Sequence, residues 1–183
     1  FNLAKKRTGM YENPVWFDDD WLNSNPEDES DHRFLYMGPK GTWTPLHADT
    51  MNSYSWSANV CGEKLWRLYP PEVTKLLVNE HGRGCRFRHV SEASLAGLPP
   101  PLEVRQRPGE MVFVPAGWYH MVENCTDCVS INHNWISATS VGWTFALWRE
   151  RRALLREQLP DCRHDEPLLQ QVGPGRGGDS VLW

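Results

Sequence analysis

A close succession of short strand-like segments, each closed by glycine or proline, constrains this chain more than any other feature. The segments read HRFLYMG, the stretch from Leu46 to Thr50, SYSWSANVCG, EKLWRLYP, MVFVPAGWYHMVEN and VSINHNWI. Gly38, Gly41, Gly62, Gly109 and Gly117, with prolines at 45, 70, 71, 108 and 115, punctuate them. Glycine supplies turn conformations and proline cannot donate to a strand ladder, so these residues end strands rather than extend them. Many short strands joined by such turns favour a sandwich or barrel of the jelly-roll kind.

The flanks differ in character. Residues 1–30 form an irregular lead-in, where YENPVWFDDDWLNSNPEDESD is aromatic, acidic and rich in turn formers, with a short helical turn expected near Trp21. Residues 31–140 hold the strand-like segments and are taken as the core domain, interrupted between Pro71 and Pro101 by an insertion with a short helix in EVTKLLVNEHG. From Trp143 to Gln158 the pattern WTFALWRERRALLREQ has helical spacing without breakers, which predicts a C-terminal helix within residues 141–160. That helix either packs outside the barrel or supports a dimer. The Gly-rich tail within residues 161–183 reads as disordered.

Composition excludes several classes. At 183 residues the expectation is one domain able to bury a substantial core. No apolar run approaches the roughly 18 residues of a membrane-spanning helix. A net charge of -4 argues against general binding to nucleic acid or anionic membranes. Five cysteines, an odd number without dense spacing, suggest a reducing compartment, hence the cytoplasm or nucleus. Cys125 and Cys128 form a CxxC without a second pair at zinc-site spacing and read as a loop between two strands.

The candidate chemistry starts at His47 and Asp49 in GTWTPLHADT. Residues i and i+2 of a strand share a face, so both can reach one ion. His120, after the turn PAGWY, can complete the set from a facing strand. Two imidazoles, a carboxylate and open positions opposite them describe the facial triad of non-haem Fe(II) oxygenases. In EKLWRLYPP, strand parity places Lys64 on a face with Trp66 and Leu68, where a lysine needs an anion. A ligand carboxylate is the natural partner, and Thr44 can offer it a hydroxyl. Asn132 shares parity with Ser130 and Asn134, which suggests a polar-lined pocket, while His133 points the other way. Ser57 and Asn59 are further candidate pocket donors. Tyr36, Trp43, Trp56 and Trp118 either line an entrance or belong to the core.

The run RFLYMGPKGTWTPLHADTMNSYSWSANVCGEKLWRLYPP, followed by GEMVFVPAGWYHMVENCTDCVSINHNW, resembles the JmjC-domain 2-oxoglutarate oxygenases. The likeness covers roughly residues 10–140, with HxD, G-x-K-x-W-x-L-[YF]-P-P, PxGWxH and SINHNW in order. It implies a mainly β, double-stranded β-helix of the jelly-roll, cupin-like kind with peripheral helices, N-terminally incomplete because the family's earlier strands and a co-substrate tyrosine are not found in this chain. By position, His47, Asp49 and His120 match the iron ligands. Lys64 and Thr44 match the binders of the co-substrate carboxylate, and Asn132 matches a pocket asparagine. The resemblance implies Fe(II) as cofactor, 2-oxoglutarate and dioxygen as co-substrates, and a protein substrate. In the branch most similar to this chain, the substrate is a lysine of a translation termination factor.

Three other functions compete with a lysyl hydroxylase. A histone N-methyl-lysine demethylase of the JmjC class uses the same chemistry on a methyl group, a silent jelly-roll binding module uses none, and a zinc-dependent jelly-roll isomerase would call for additional histidine ligands.

Overall fold

The computed structural model describes residues 11–24, 32–78 and 85–158. Its strands are β1 (Arg33–Gly38), β2 (Tyr54–Cys61), β3 (Lys64–Tyr69), β4 (Leu102–Gln106), β5 (Met111–Val114), β6 (Tyr119–Asn124) and β7 (Cys128–Trp135). The helices are α1 (Thr74–Leu77), α2 (Val90–Leu95) and α3 (Val141–Gln158). The strands form two antiparallel sheets, a four-stranded one ordered β1-β7-β2-β5 and a three-stranded one ordered β4-β3-β6. From β2 onward the chain passes repeatedly between them, as the jelly-roll reading requires. Among the described residues no helix is long and apolar enough to cross a membrane.

Alternation along β3 builds the space between the sheets. Lys64, Trp66 and Leu68 are buried while Leu65 and Arg67 are partly exposed. Trp66 and Leu68 pack with Val114 of the other sheet, joined by Val104, Val112, Trp118 and Val122. A polar relay ties the sheets together. Trp66 Nε1 donates to Gln106 Oε1 at 2.8 Å, and Gln106 Nε2 donates to the Ser57 carbonyl at 2.7 Å. Both side chains are buried, so each bond removes a desolvated polar group that would otherwise cost about 1–3 kcal/mol.

The lead-in covers the opposite, outer face of the larger sheet. Phe17 stacks on Trp56 at 5.8 Å and meets Trp135 at 4.7 Å, while Tyr11 approaches Trp56 edge-on. Its helical turn is a 3₁₀ turn at Val15–Phe17, earlier than expected. At Trp21 the chain instead bends around Asp20, whose Oδ1 accepts from the backbone N–H of Leu22 and Asn23 at 3.1 Å each. The side-chain carboxylate replaces a helical carbonyl as acceptor, which is why no helix forms there.

Three further segments differ from the sequence reading. The insertion carries a single helical turn in α1, and a second helix, α2, follows it. The charged run LEVRQ forms edge strand β4, its outward residues paired as Arg67–Glu103 and Arg105–Glu63. The segment from Leu46 to Thr50 is no regular strand. His47 makes an isolated bridge to His120, Pro45 has no N–H to continue a ladder, and Leu46 N–H turns away to the Arg88 carbonyl.

Two compact units divide the chain at Phe145 and Ala146. The expected helix is present as α3, which begins in the first unit and continues in the second, with Trp143, Phe145 and Trp148 exposed. The tail expected to be disordered lies outside the described residues. The described cysteines, Cys61, Cys85, Cys125 and Cys128, are all free. Cys128 and Cys125 flank the turn between β6 and β7, where the Cys128 thiol donates to the Glu63 and Thr126 carbonyls at 3.2 Å.

Candidate metal centre

Two backbone hydrogen bonds assemble the centre. His47 N–H donates to the His120 carbonyl at 3.0 Å, and His120 N–H donates to the His47 carbonyl at 2.7 Å. That exchange sets the imidazoles side by side with ring centroids 4.4 Å apart. Asp49 follows two residues on in extended backbone, and one ligand atom from each of His47, Asp49 and His120 lies within 4.8 Å of the others.

Hydrogen bonding decides which atoms are offered. His47 Nδ1 lies 2.7 Å from the Pro45 carbonyl, and His120 Nδ1 lies 3.2 Å from the Trp118 carbonyl. A carbonyl can only accept, so each Nδ1 carries the proton and each neutral ring keeps its lone pair on Nε2. Each histidine thus uses the carbonyl two residues before it as the outer partner that fixes tautomer and orientation. Burial pushes the His120 imidazolium down, the nearby Asp49 charge partly offsets this, and His47 lowers it again. The ring is therefore held neutral, the form a metal needs. Ser55 Oγ donates to Asp49 Oδ2 at 2.6 Å, and among the described residues Oδ1 has no donor. Two imidazole nitrogens and one carboxylate oxygen fit a divalent transition metal with positions left open.

A cavity of about 170 Å³ adjoins these groups, lined also by Thr44, Lys64, Asn132, Tyr36, Trp43 and Asn134. It is smaller than the ~300–1,000 Å³ of pockets for drug-sized ligands, so it suits a small molecule. Lys64 is buried at 6% exposure, and its Nζ donates to Asn124 Oδ1 at 3.1 Å. Burial pushes its ammonium below the usual lysine value, with a smaller upward pull from Cys128. A charged amine so placed favours an anionic ligand. Thr44 Oγ1 accepts from Val122 N–H at 3.0 Å and keeps its own proton to donate. Asn132 Oδ1 accepts from Ser57 at 3.1 Å and Ser130 at 3.0 Å, which turns its Nδ2 outward as a donor.

The structure thus brings His47, Asp49, His120, Thr44, Lys64 and Asn132 to one cavity. It does not bring Ser57 or Asn59 there. Ser57 supports Asn132 from behind, and Asn59 Nδ2 donates to the Gly62 carbonyl at 2.7 Å. Of the four aromatic candidates, Tyr36 and Trp43 line the cavity, Trp56 packs against Tyr11, Phe17 and His133, and Trp118 packs against the apolar cluster of Trp66, Leu68 and Val114. Burial raises the Tyr36 hydroxyl above its ordinary value and the Asp49 charge adds to it. His133 turns to the other face, where its Nε2 meets Asp20 Oδ2 at 3.0 Å.

Sequence reasoning missed Ser55. It returns to Asp49 through a turn in which Met51 and Asn52 have φ of 56° and 50°. Left-handed backbone costs a residue such as Met51 about 1–2 kcal/mol, while an asparagine such as Asn52 adopts it more readily, and no glycine marks the turn here.

Residues 5–140 match the family model described as "Cupin-like domain". Similar proteins include the "2-oxoglutarate and iron-dependent oxygenase JMJD4" of Gallus gallus, 46% identical over 84% of this chain and 38% of that protein. The "Arginine-specific demethylase JMJ20" of Arabidopsis thaliana is 42% identical over 84% of this chain and 38% of that protein. The Homo sapiens protein named "2-oxoglutarate and iron-dependent oxygenase JMJD4" is 41% identical over 84% of this chain and 39% of that protein. The chain therefore spans well under half the length of the relatives it matches.

Proposed function

The chain belongs to the cupin-like domain family, and from that premise we propose that it carries the catalytic site of an Fe(II)- and 2-oxoglutarate-dependent protein hydroxylase. The observation that carries the reading is the convergence of His47, Asp49 and His120 beside a buried Lys64 in one small cavity. The names of the relatives, "2-oxoglutarate and iron-dependent oxygenase", point the same way.

His47 Nε2, His120 Nε2 and Asp49 Oδ1 would hold Fe(II). The bound metal with 2-oxoglutarate and dioxygen supplies C–H hydroxylation coupled to decarboxylation of the oxo acid to succinate. The protein's part is binding, orientation and exclusion of water. Lys64 neutralises the far carboxylate of the co-substrate, and the Thr44 hydroxyl donates to it. The Asn132 amide adds a donor to the same cavity. His47 is exposed whereas His120 is buried, so the centre opens on the His47 side, where a substrate side chain enters.

The substrate we infer is a lysine in a translation termination factor, consistent with the JmjC branch that the motifs resemble. Free cysteines fit a cytoplasmic location. To test the reading, the full chain would be incubated with Fe(II), 2-oxoglutarate and the termination factor, and the factor's peptides analysed by mass spectrometry. One added oxygen on a lysine, absent with Asp49→Ala, is expected. Succinate formation without any modified lysine would overturn the substrate. A second reading is favoured by the printed name of the Arabidopsis relative, an arginine-specific demethylase. The same site acting on an N-methyl group would release formaldehyde from a methylated peptide, and the mass assay separates the two.

A further inference from the structure

Asp49 is not held like the two histidines, and its partner is where the structure adds something. Each imidazole is steered by a carbonyl two residues upstream, a contact any extended segment can make. The carboxylate is steered from six residues downstream, by Ser55 of β2. Reaching back so quickly requires the chain to reverse between Thr50 and Ser53, and it does so through left-handed Met51 and Asn52. Two features hold that reversal in place. Ser53 N–H donates to the Thr50 carbonyl at 3.0 Å, and Asn134 Nδ2 donates to Ser53 Oγ at 3.0 Å with both side chains buried. Asn134 sits directly opposite Ser55 in the β2–β7 register, so one strand pair supplies both the strut and the donor.

We propose that Ser55 is the positioning residue that fixes the orientation of the Asp49 carboxylate. The inference rests on the metal reading given above. The Ser55 hydroxyl, in a residue 7% exposed, lies 2.6 Å from Oδ2 and holds that oxygen with a charge-assisted bond, so the carboxylate cannot turn freely about its own axis. The left-handed turn therefore serves the orientation of Asp49: it brings a hydroxyl onto Oδ2 as the carbonyls of Pro45 and Trp118 are brought onto the two imidazoles.

The test compares Ser55→Thr with Ser55→Val in the full metal-free chain. The two side chains share a shape suited to a strand and differ by a hydroxyl against a methyl. Co(II) is titrated without co-substrate, following its visible bands, and circular dichroism reports the fold of each variant. Ser55→Thr is expected to bind Co(II) as the wild type does. Ser55→Val is expected to bind about 10- to 100-fold more weakly, the usual cost of losing an outer-shell partner, with altered Co(II) bands. Equal affinity and equal bands for Ser55→Val would overturn the proposal. So would equal losses in both variants, because shape and not the hydroxyl would then be at work. If Ser55→Val fails to fold, Ser53→Ala cuts the strut and leaves the donor in place. A weaker Co(II) site in that folded variant supports the proposal, and an unchanged one overturns it. Failure of the wild type itself to bind Co(II) would instead defeat the metal reading, a result distinct from any of these.

Discussion

Two histidines in different regions of the molecule are almost wholly buried, and their surroundings differ in one respect that decides their use. His133 lies on the outer face of the larger sheet under the lead-in, 1% exposed, and spends its Nε2 on Asp20 at 3.0 Å. Asn23 completes that cluster, donating to Asp20 Oδ2 at 2.9 Å and to the Asn134 carbonyl at 2.8 Å. His120 lies on β6 of the smaller sheet, 4% exposed, and commits only Nδ1, to a carbonyl. Its other nitrogen has no partner among the described residues and belongs to the group with His47 and Asp49. Burial alone does not mark a ligand. Each ring engages one nitrogen and leaves the other without a partner among the described residues, Nδ1 of His133 and Nε2 of His120, but only His120 stands in a group with two further ligand side chains, and that makes it ready to coordinate.

Exchanging the losses should break or sharpen this contrast. His120→Ala is expected to abolish Co(II) or Fe(II) binding, beyond the ~10–100-fold of an outer-shell change, while the protein stays folded by circular dichroism. His133→Ala should do the reverse. It removes one hydrogen bond from the Asp20 carboxylate, which keeps those from Leu22 and Asn23, and lowers unfolding free energy by about 1.5–3 kcal/mol in urea, with metal affinity kept in the protein that remains folded. Retained metal binding in His120→Ala, or a full loss in folded His133→Ala, would reverse the assignment.

Lys64→Met ranks next. It keeps the length and removes the charge, so 2-oxoglutarate binding to the metal-loaded protein should weaken by about 2–5 kcal/mol. Calorimetry should find metal affinity unchanged, because Lys64 belongs to the anion end of the cavity. Equal co-substrate affinity would remove Lys64 from the site.

The Asp20 cluster also sets an acid limit. Burial pushes the Asp20 carboxyl up, but the hydrogen bonds from His133 and Asn23 and the His133 charge outweigh it and hold it below its ordinary value. The unfolded chain then takes up a proton before the folded one does, so stability is full above about pH 4 and is lost as pH falls through the lowered value. Asp20→Asn should flatten that acid limb in a series of urea melts between neutral and acid pH. An unchanged slope would mean the pair does not govern acid stability. The smallest expected effect is Ser57→Ala, about 1 kcal/mol of stability. Asn132 keeps Ser130 as a donor, and Co(II) affinity should not move.

Much of the site was readable because strand parity is strict. Lys64 shares the inward face with Trp66 and Leu68, and Asn132 faces away from His133, as period-2 alternation requires. The turn PAGWY before His120 was equally plain in its proline and glycine. Other parts left no mark. His47 and Asp49 converge with His120 although their segment is not a strand, held by a two-bond bridge and not by a ladder. Ser55 is invisible because the left-handed turn before it uses Met51 and Asn52 where a glycine would have signalled it. The edge strand β4 was missed since its outward face is spent on charge pairs that dilute the apolar alternation. The lead-in looked irregular, and it is, yet its aromatic residues complete the outer face of a sheet they do not join.

The central claim is that one cavity holds a three-residue metal centre and the anion site that serves it. It is tested most directly by anaerobic titration of the full chain with Fe(II) and then 2-oxoglutarate, watching for the visible metal-to-ligand charge-transfer band. The account predicts a band in the wild type, none with His120→Ala, and one with Lys64→Met that needs far more 2-oxoglutarate to develop. A folded, iron-loaded wild type that gives no band would contradict it.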